Sequence, residues 1–214
     1  MKIDMHVHTC YSSDSSLQLN DIVSAVNEGR LDGVAITDHN EIRGAQELQQ
    51  MASFPVIVGE EIMTESGEII GLFLKKRISP GLSVLETIDC IKEQEGLVAV
   101  PHPFDRLRSS ALNITKLNPF LNHIDLLEVF NSRNIFSKDN EIAALFAEQN
   151  GIAKIAGSDA HTKSEIGAAY IAIMKFANPE DFMASISNAD IFTSKSPISV
   201  HLKTKVKKVI QSIS

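Results

Sequence analysis

Short hydrophobic runs alternate along the chain with longer stretches in which apolar residues recur at helical spacing. The short runs predict eight strands. Several of them are continuously apolar, which is typical of strands buried on both faces of a parallel sheet. The predicted strands cover residues 2–7, 33–37, 56–59, 68–74, 97–100, 126–130, 152–156 and 169–174.

Helical patterns lie between these strands. The first covers residues 17–28, with Ser16 as its expected N-cap. Two more cover residues 84–95 and 138–149, each followed by a glycine that favours helix termination, and another helix is expected after Pro179. Strand and helix units repeated in this number predict an α/β barrel or a doubly wound sheet.

Composition and charge narrow the class of protein. The chain has 214 residues, 43% of them hydrophobic, which predicts one folded domain over residues 1–214. The formal net charge of −7 argues against binding to long nucleic acids through bulk electrostatics. A short basic segment from about residue 203 carries four lysines. We expect it to be a solvated end of the chain, with phosphate or partner binding as the alternative.

Neither a membrane-spanning segment nor a framework of disulfide bonds is expected. No apolar run reaches the roughly 18 residues that a membrane span needs. Asp4 stands where a signal peptide would continue into its apolar stretch. Cys10 and Cys90 are too few for a disulfide framework or a cysteine-based zinc module, and we expect Cys10 to be a small packed residue. We therefore expect a cytoplasmic protein without a membrane partner.

Histidines concentrate at the ends of the predicted strands. His6 and His8 lie two residues apart in the first of them, so the period of a strand places both side chains on one face. Asp14 follows in a polar loop. The later strand ends carry Thr37-Asp38-His39, Gly59-Glu60-Glu61, Pro101-His102-Pro103 and Gly157-Ser158-Asp159-Ala160-His161.

These residue types suit a metal-dependent hydrolase. In a parallel α/β barrel the carboxyl ends of the strands converge on one face, so five strands would bring their donors together. Imidazoles and carboxylates without a thiolate favour Zn(II), Mn(II) or Fe(II). Paired ions can share a hydroxide formed near neutral pH and clamp the oxygens of a phosphoryl displacement. No nucleophile elbow, phosphate-binding loop or dinucleotide fingerprint suggests another chemistry.

The four histidine motifs resemble those of the polymerase-and-histidinol-phosphatase (PHP) domain family. They occur in the order of that family, over residues 1 to about 167. Because the chain ends shortly after the last motif, we expect it to resemble the small stand-alone phosphoesterases of the family and not its polymerase-fused domains. The motifs that carry the resemblance are His6-Val7-His8-Thr9, Thr37-Asp38-His39-Asn40, Pro101-His102-Pro103 and Gly157-Ser158-Asp159-Ala160-His161.

The resemblance implies a distorted (β/α)7 TIM-like barrel that holds two or three divalent ions of manganese, zinc or iron. Glu61 would bridge the first two ions, and the residues expected to be catalytic are Glu61, His102 and Asp159. Residue by residue, the resemblance assigns His6, His8, Glu61 and Asp159 to the first ion, Glu61 and His102 to the second, and Asp14, His39 and His161 to the third.

Two positions depart from the family pattern. Asp14 stands where many members have a histidine, and aspartate is a familiar replacement. The second ion usually has a further histidine on the strand after the bridging glutamate, and this sequence has none there. Glu68 is the nearest candidate for that ligand, and an exposed glutamate in a turn is the alternative interpretation.

A phosphate substrate also needs cationic side chains. Arg106 and Arg108 follow the His102 motif and Arg133 follows the sixth strand, so all three are expected on the face of the metal ligands. Guanidinium groups bind phosphate oxygens bidentately, which makes these arginines candidates for substrate contacts, with surface salt bridges as the alternative.

Other polar residues have secondary roles in this interpretation. Residues beside the ligands could orient the imidazoles through hydrogen bonds. They are Asp38, Glu128 and Asn131. His123 precedes its strand and His201 lies near the end of the chain, so we expect both to be structural or surface residues.

The leading hypothesis is hydrolysis of a small phosphomonoester, with a nucleotide among the candidates, through a metal-bridging hydroxide. An amidohydrolase-type metallohydrolase is the nearest alternative, although Glu61 already fills the bridging position where that class commonly uses a modified lysine. A nuclease acting on DNA ends is disfavoured by the acidic charge, and a non-catalytic metal-binding regulatory domain by the near-complete ligand set. No motif specifies the leaving group, the native metal or the oligomeric state.

Overall fold

The computed structural model describes residues 1–112 and 114–195, so the basic C-terminal segment and His201 lie outside the described residues. The strands are β1 Lys2–Val7, β2 Gly33–Ile36, β3 Val56–Met63, β4 Glu68–Leu72, β5 Leu97–Val100, β6 Leu126–Asn131, β7 Ala153–Gly157, β8 Ala169–Ala172 and β9 Asp190–Thr193. The helices are α1 Leu19–Asn27, α2 Arg43–Met51, α3 Val84–Lys92, α4 Ile114–Leu117, a 3-10 helix Asn118–His123, α5 Ser137–Asn150 and α6 Pro179–Ile186.

The nine strands of the described residues form one sheet in the order β7-β6-β5-β4-β3-β2-β1-β8-β9. Neighbours are parallel from β1 to β3 and from β5 to β7, whereas β4 is antiparallel to both β3 and β5. Strands β8 and β9 continue the sheet as an antiparallel hairpin beside β1. The prediction of an α/β barrel is confirmed, but nine strands and a mixed sheet replace the seven repeated units of the expected (β/α)7 barrel.

The sheet nearly closes on itself where β1 meets β7. Val7 forms an isolated parallel bridge with Ala160, just beyond β7. The amide of His8 donates to the carbonyl of Ala160 at 2.9 Å, and the amide of Asp159 donates to the carbonyl of His6 at 2.8 Å. These bonds bring the segment that follows β7 against the end of β1. Two histidine-bearing motifs that are about 150 residues apart in sequence therefore become neighbours.

Two hydrophobic cores cover the two faces of the strands. One packs the sheet against α1, α2, α3 and α5, through residues such as Ile22, Leu48, Ile88 and Ala143. The other joins strand residues such as Met5 and Ile57 to Phe182 of α6. Burying this apolar area is the main favourable contribution to folding. Among the described residues, no helix combines the length and apolar composition that crossing a membrane requires.

Several element boundaries differ from the predictions. The first helix begins at Leu19 with Gln18 at the N-cap position, so the prediction of Ser16 as the cap was wrong. Helix α2 was not predicted, because Arg43–Met51 is dominated by polar residues and has few apolar positions. Strand β3 continues four residues beyond its predicted end, since its pairing with the antiparallel β4 extends to Met63.

Candidate metal centre

Strand β1 brings two imidazoles together, as the sequence predicts. Ile3 and Met5 belong to the second core, whereas Val7 belongs to the first, and the pairing of β1 with β2 shifts register between Asp4 and Val7. Such a bulge re-aims side chains near active sites. The Nε2 atoms of His6 and His8 lie 3.0 Å apart, and both side chains are fully buried.

Glu61, in β3, lies at the centre of the cluster. Its Oε1 accepts from Nε2 of His102 at 2.9 Å. Its Oε2 lies 3.0 Å from Nδ1 of His39, 3.3 Å from Nε2 of His8 and 3.5 Å from Nε2 of His6. One carboxylate therefore contacts histidines from three different segments of the chain, which is the position that a bridging ligand requires.

Asp159 lies directly beyond β7 and faces the histidines of β1. Its Oδ1 is 3.3 Å from Nε2 of His8 and 3.7 Å from Nε2 of His6. Asp159 has a φ of 54° and His102 a φ of 32°, values that non-glycine residues rarely adopt. Such backbone strain tends to be kept where a side chain must point in a particular functional direction.

A second part of the cluster contains Asp14, His39 and His161, the three residues that the resemblance assigns to a third ion. Asp14 is buried, with Oδ1 3.4 Å from Nε2 of His161 and Oδ2 3.5 Å from Nε2 of His39. The ring of His8 lies 4.4 Å from that of His39 and 4.3 Å from that of His161, measured between centroids. The structure therefore joins this trio directly to the β1 histidines.

Glu68 is buried and belongs to the cluster, so the alternative of an exposed turn glutamate is wrong. It is the first residue of β4, opposite Met63 of β3. Its Oε2 accepts from Oγ of Ser110 at 2.6 Å and lies 3.7 Å from Nε2 of His102, while Oε1 is 3.9 Å from Nδ1 of His39.

The donors are close enough to coordinate metal ions. Four groups of three residues have ligand atoms that all lie within 4.8 Å of one another. The buried atoms Oδ1 of Asp159 and Oε2 of Glu61 have no hydrogen-bond partner among the described residues, although imidazole nitrogens surround both. Buried carboxylate oxygens left in this way fit a bound cation. The four groups are His8, His39 and His161; His6, His8 and Glu61; His6, His102 and Asp159; and His39, Glu61 and Glu68.

Electrostatics at the cluster favour ionised carboxylates. Burial alone would raise the pKa of Asp159, but Arg108 and His6 outweigh it and hold this pKa well below its usual range. Burial likewise opposes ionisation of Glu61, yet His6 and His39 lower its pKa well below the ordinary value. Burial lowers the pKa of His161 to about 3, so its imidazole is neutral and able to bind a metal near neutral pH.

The three residues predicted to orient the ligands do contact them or their neighbours. Glu128 accepts from Nδ1 of His6 at 3.0 Å through Oε1 and from the amide of His102 at 2.8 Å through Oε2. Asn131 donates to Oε2 of Glu128 at 3.0 Å and to Oδ2 of Asp159 at 3.3 Å. With an ion bound, the hydrogen bond to Glu128 would keep the proton on Nδ1 of His6 and leave Nε2 as the coordinating atom.

Ser12, which was not predicted as a site residue, links two parts of the cluster. Its buried hydroxyl accepts from Nδ1 of His8 at 3.1 Å and from the amide of His39 at 3.0 Å, and it donates to Oδ1 of Asp38 at 2.7 Å. Asp38 therefore acts through Ser12 and does not touch an imidazole directly. A serine in a polar loop carries no distinguishing sequence signal, because such loops are commonly rich in serine.

Gly157 belongs to one of the histidine motifs, but no role of its own was predicted for it. A Cβ built at this position in β7 would lie 2.3 Å from Cβ of His6 and 2.8 Å from Oε1 of Glu128. Only a glycine lets β7 approach β1 this closely. A larger residue here would push β7 away from His6 and Glu128.

The three candidate arginines differ in their surroundings. Nη2 of Arg108 donates to Oδ2 of Asp159 at 2.6 Å, and Nη1 of Arg133 donates to the carbonyl of Asp159 at 3.4 Å. Arg106 is instead bound by Asp139, whose Oδ1 accepts from its Nε at 2.9 Å. Arg108 and Arg133 thus border the donor cluster, whereas Arg106 faces away from it towards α5.

Two further predictions have different outcomes. Cys10 is exposed, so the expectation of a packed side chain was wrong, because the loop after β1 turns this residue outwards. His123 ends the 3-10 helix and is exposed, away from the donors, as predicted.

The fold and the donor cluster together define an α/β barrel protein with a candidate multi-metal centre at one end. Residues 137–191 match the model of the PHP-associated family. The chain is 37% identical over 186 residues to the uncharacterized protein MJ0417 of Methanocaldococcus jannaschii, covering 85% of this chain and 75% of that protein. The chain belongs to the PHP domain family.

Solved structures share the fold. A two-domain protein from Bacteroides vulgatus, described as containing a predicted PHP-like metal-dependent phosphoesterase, superposes with a TM-score of 0.74 at 16% identity. The match covers 91% of this chain and 65% of that protein, so the chain spans slightly less than two thirds of its length. An amidohydrolase from Chromobacterium violaceum with bound sulfate has a TM-score of 0.61 at 16% identity, covering 78% of this chain and 90% of that one.

Proposed function

We propose that this protein is a metal-dependent phosphoesterase that hydrolyses a small phosphomonoester. The observation that carries the proposal is the convergence of nine potential ligands, five imidazoles and four carboxylates, at one end of the barrel with two arginines beside them. The ligands are His6, His8, Asp14, His39, Glu61, Glu68, His102, Asp159 and His161. The supporting arginines are Arg108 and Arg133.

The ligands would hold two or three divalent transition-metal ions, manganese, zinc or iron. Glu61 contacts histidines from three segments and is assigned as the bridge between the first two ions. When bound, such ions supply Lewis acidity and an activated water for phosphoryl transfer. The first set is His6, His8, Glu61 and Asp159, the second is Glu61, Glu68 and His102, and the third is Asp14, His39 and His161.

Side chains of the protein orient the metal ligands and bind the substrate. Glu128 accepts from Nδ1 of His6 and would keep the proton there when Nε2 coordinates an ion. Arg108 lies within hydrogen-bond distance of Asp159 and can donate to a phosphate oxygen from the edge of the cluster. Arg133 is 6% exposed and donates to the backbone carbonyl of Asp159. It would therefore help to position Asp159 through the backbone.

A small substrate agrees with the charge of the whole chain. A long polyanion would be repelled by the net charge of −7, whereas one phosphate interacts mainly with local cations. We therefore propose a phosphorylated metabolite as the substrate, with mononucleotides among the candidates, and not polymeric DNA. A cytoplasmic location is part of the same proposal.

Hydrolysis of an amide is the alternative function, because one of the proteins with a similar fold is an amidohydrolase. In the part of the chain that the structure describes, no lysine is among the buried residues, so a carbamylated lysine has no candidate position inside the barrel. Glu61 already occupies the central position. Phosphate ester cleavage would give Arg108 a substrate contact in addition to its ion pair with Asp159.

The test is a hydrolysis screen of the manganese-loaded protein against phosphorylated metabolites, mononucleotides, single-stranded DNA and a panel of cyclic amides. We expect phosphate release from one or more small monoesters, loss of it on chelation, and recovery with manganese. A matched Glu65→Gln variant, altered at an exposed glutamate four residues beyond Glu61, should behave as the wild type. Preference for DNA, or amide cleavage without phosphate release, would overturn the proposal.

A further inference from the structure

Asp4, in β1, is a buried carboxylate that does not belong to the donor cluster. Its side chain has no exposed surface. In the part of the chain that the structure describes, no lysine, arginine or histidine side chain forms an ion pair with it. Burying a carboxylate without a cation is costly, so such a group is expected to satisfy a specific structural or functional need.

Three backbone amides converge on this carboxylate. The amide of Ser158 donates to Oδ1 of Asp4 at 2.9 Å, and the amide of Gly167 donates to Oδ2 at 2.9 Å. The amide of His6 also donates to Oδ1, at 3.4 Å. Ser158 directly follows β7, and Gly167 comes two residues before β8. One side chain of β1 therefore binds both ends of the segment 158–167.

The segment 158–167 carries two of the potential metal ligands, Asp159 and His161. Hydrogen bonds within the segment link its residues to one another. Glu165 accepts from the amide of His161 at 3.1 Å and from the hydroxyl of Thr162 at 2.9 Å. Strand β1 carries two more ligands directly beyond Asp4. The bonds of Asp4 therefore connect the strand that holds two imidazoles to both ends of the segment that faces them.

The chemistry of this connection requires a carboxylate. Each oxygen of an ionised aspartate accepts hydrogen bonds, so the two oxygens can bind amides on opposite sides. An asparagine at position 4 would offer one acceptor oxygen and one NH2 group. Its NH2 group would then face an amide N–H at one end of the segment, and that end would lose its bond to β1.

We propose that Asp4 is a positioning residue of the metal centre, which sets the spacing between the imidazoles of β1 and the ligands of the segment 158–167. The inference rests on the proposed function, because it requires that these ligands bind metal ions. Asp4 acts through the backbone and is not itself a ligand. Asp159 is assigned to the first ion and His161 to the third, so a shift of the segment would weaken the binding of both ions.

Manganese binding by Asp4→Asn tests this inference without requiring turnover. We expect the affinity for manganese, measured by competition with a chelating dye, to fall about tenfold while the variant remains folded by circular dichroism. Asp32→Asn is the matched control. Asp32 is exposed and accepts from the amide of Lys2, also in β1, at 2.8 Å. The same chemical change there should leave the affinity for manganese unchanged.

A pair of glycine variants separates positioning from a general loss of stability. Gly167 has a φ of 73° and Gly29 a φ of 74°, so alanine is strained to a similar extent at both positions. A Cβ at Gly167 would approach only the side chain of Leu31, at 3.4 Å or more, and one at Gly29 would meet open space. Gly167→Ala and Gly29→Ala should lower the midpoint of unfolding similarly, but only Gly167→Ala should weaken manganese binding.

Each outcome decides a different point. A folded Asp4→Asn variant that binds manganese as the wild type does overturns the inference and leaves the proposed function intact. Equal weakening of manganese binding in Gly167→Ala and Gly29→Ala would indicate general destabilisation and also overturn it. If Asp4→Asn does not fold, the two glycine variants decide the matter alone. A wild-type protein that binds no manganese overturns the proposed function and this inference with it.

Discussion

The side chains buried at the two ends of the barrel are stabilised by different interactions. At the donor end, carboxylates and imidazoles are buried and held by hydrogen bonds from residues such as Ser12 and Glu128. At the other end, Phe73, Phe176 and Phe182 pack edge to face, with centroid distances from 5.2 to 6.1 Å. Phe73 and Phe176 lie there because β4 and β8, which precede them, run antiparallel to β3 and β1.

We therefore expect the donor end to determine function and the aromatic end to determine stability. A buried polar cluster is costly to fold unless every group has a partner, whereas an aromatic cluster stabilises through area and packing. Substitutions at the donor end should therefore change metal binding and catalysis. Substitutions at the aromatic end should change the free energy of unfolding and leave the metal content alone.

The largest effect is expected for Glu61→Gln. The variant keeps the shape of the side chain but loses the charge that faces three histidine-bearing segments. We expect phosphatase kcat/KM to fall at least about 1,000-fold, because even outer partners of metal ligands contribute about 10- to 100-fold. Steady-state kinetics at saturating manganese measures it. Activity within tenfold of the wild type would remove Glu61 from the bridging position.

At the aromatic end, Phe182→Ala should destabilise the protein without affecting the ligands. Phe182 is fully buried and contacts both other rings, so its removal leaves a cavity. We expect the free energy of unfolding to fall by about 3–5 kcal/mol, measured by denaturant titration. Metal content of the folded variant should match the wild type, and a parallel loss of metal would break the separation between the two ends.

Glu128→Ala tests whether the donor end depends on its outer hydrogen bonds. The substitution removes the acceptor for Nδ1 of His6 and for the amide of His102. We expect manganese affinity to fall about 10- to 100-fold, with folding retained. Competition with a chelating dye measures the affinity. Unchanged affinity would mean that packing alone orients these histidines.

A smaller effect is expected for Ser12→Ala. Its hydroxyl contacts the side chain of His8 and the backbone of His39, so its loss should loosen ligands in two parts of the cluster at once. We expect manganese affinity to fall about tenfold, near the lower end of the range for such partners. The matched control is Ser13→Ala, at the exposed neighbouring serine, which should bind manganese as the wild type does.

The sequence predicted the ligands better than the groups that hold them. His6, His8, His39, His102, His161 and Asp159 were recognisable because each lies near the end of an apolar strand or just beyond it, and the parallel strands of a barrel bring such ends together. The roles of Ser12 and Gly157 were not predicted, because they depend on contacts that form only when the chain folds. The partner of Arg106 was missed for the same reason, since Asp139 lies in α5, 33 residues away.

The topology was predicted only in part. Apolar runs indicate strands but carry no direction, so the antiparallel pairing of β4 with β3 and β5 could not be read from them. That pairing extends β3 to Met63 and places Glu61 inside a strand instead of after it. It also places Glu68 opposite Met63, within reach of the cluster.

The most direct test of the central claim is the metal content of the folded protein. Protein reloaded with manganese and freed of excess metal should contain two or three ions per chain by elemental analysis. Asp14→Ala should contain one ion fewer with folding intact, because Asp14 contacts both histidines that are assigned to the third ion. One ion or none in the wild type, or an unchanged count together with full activity in Asp14→Ala, would contradict the account.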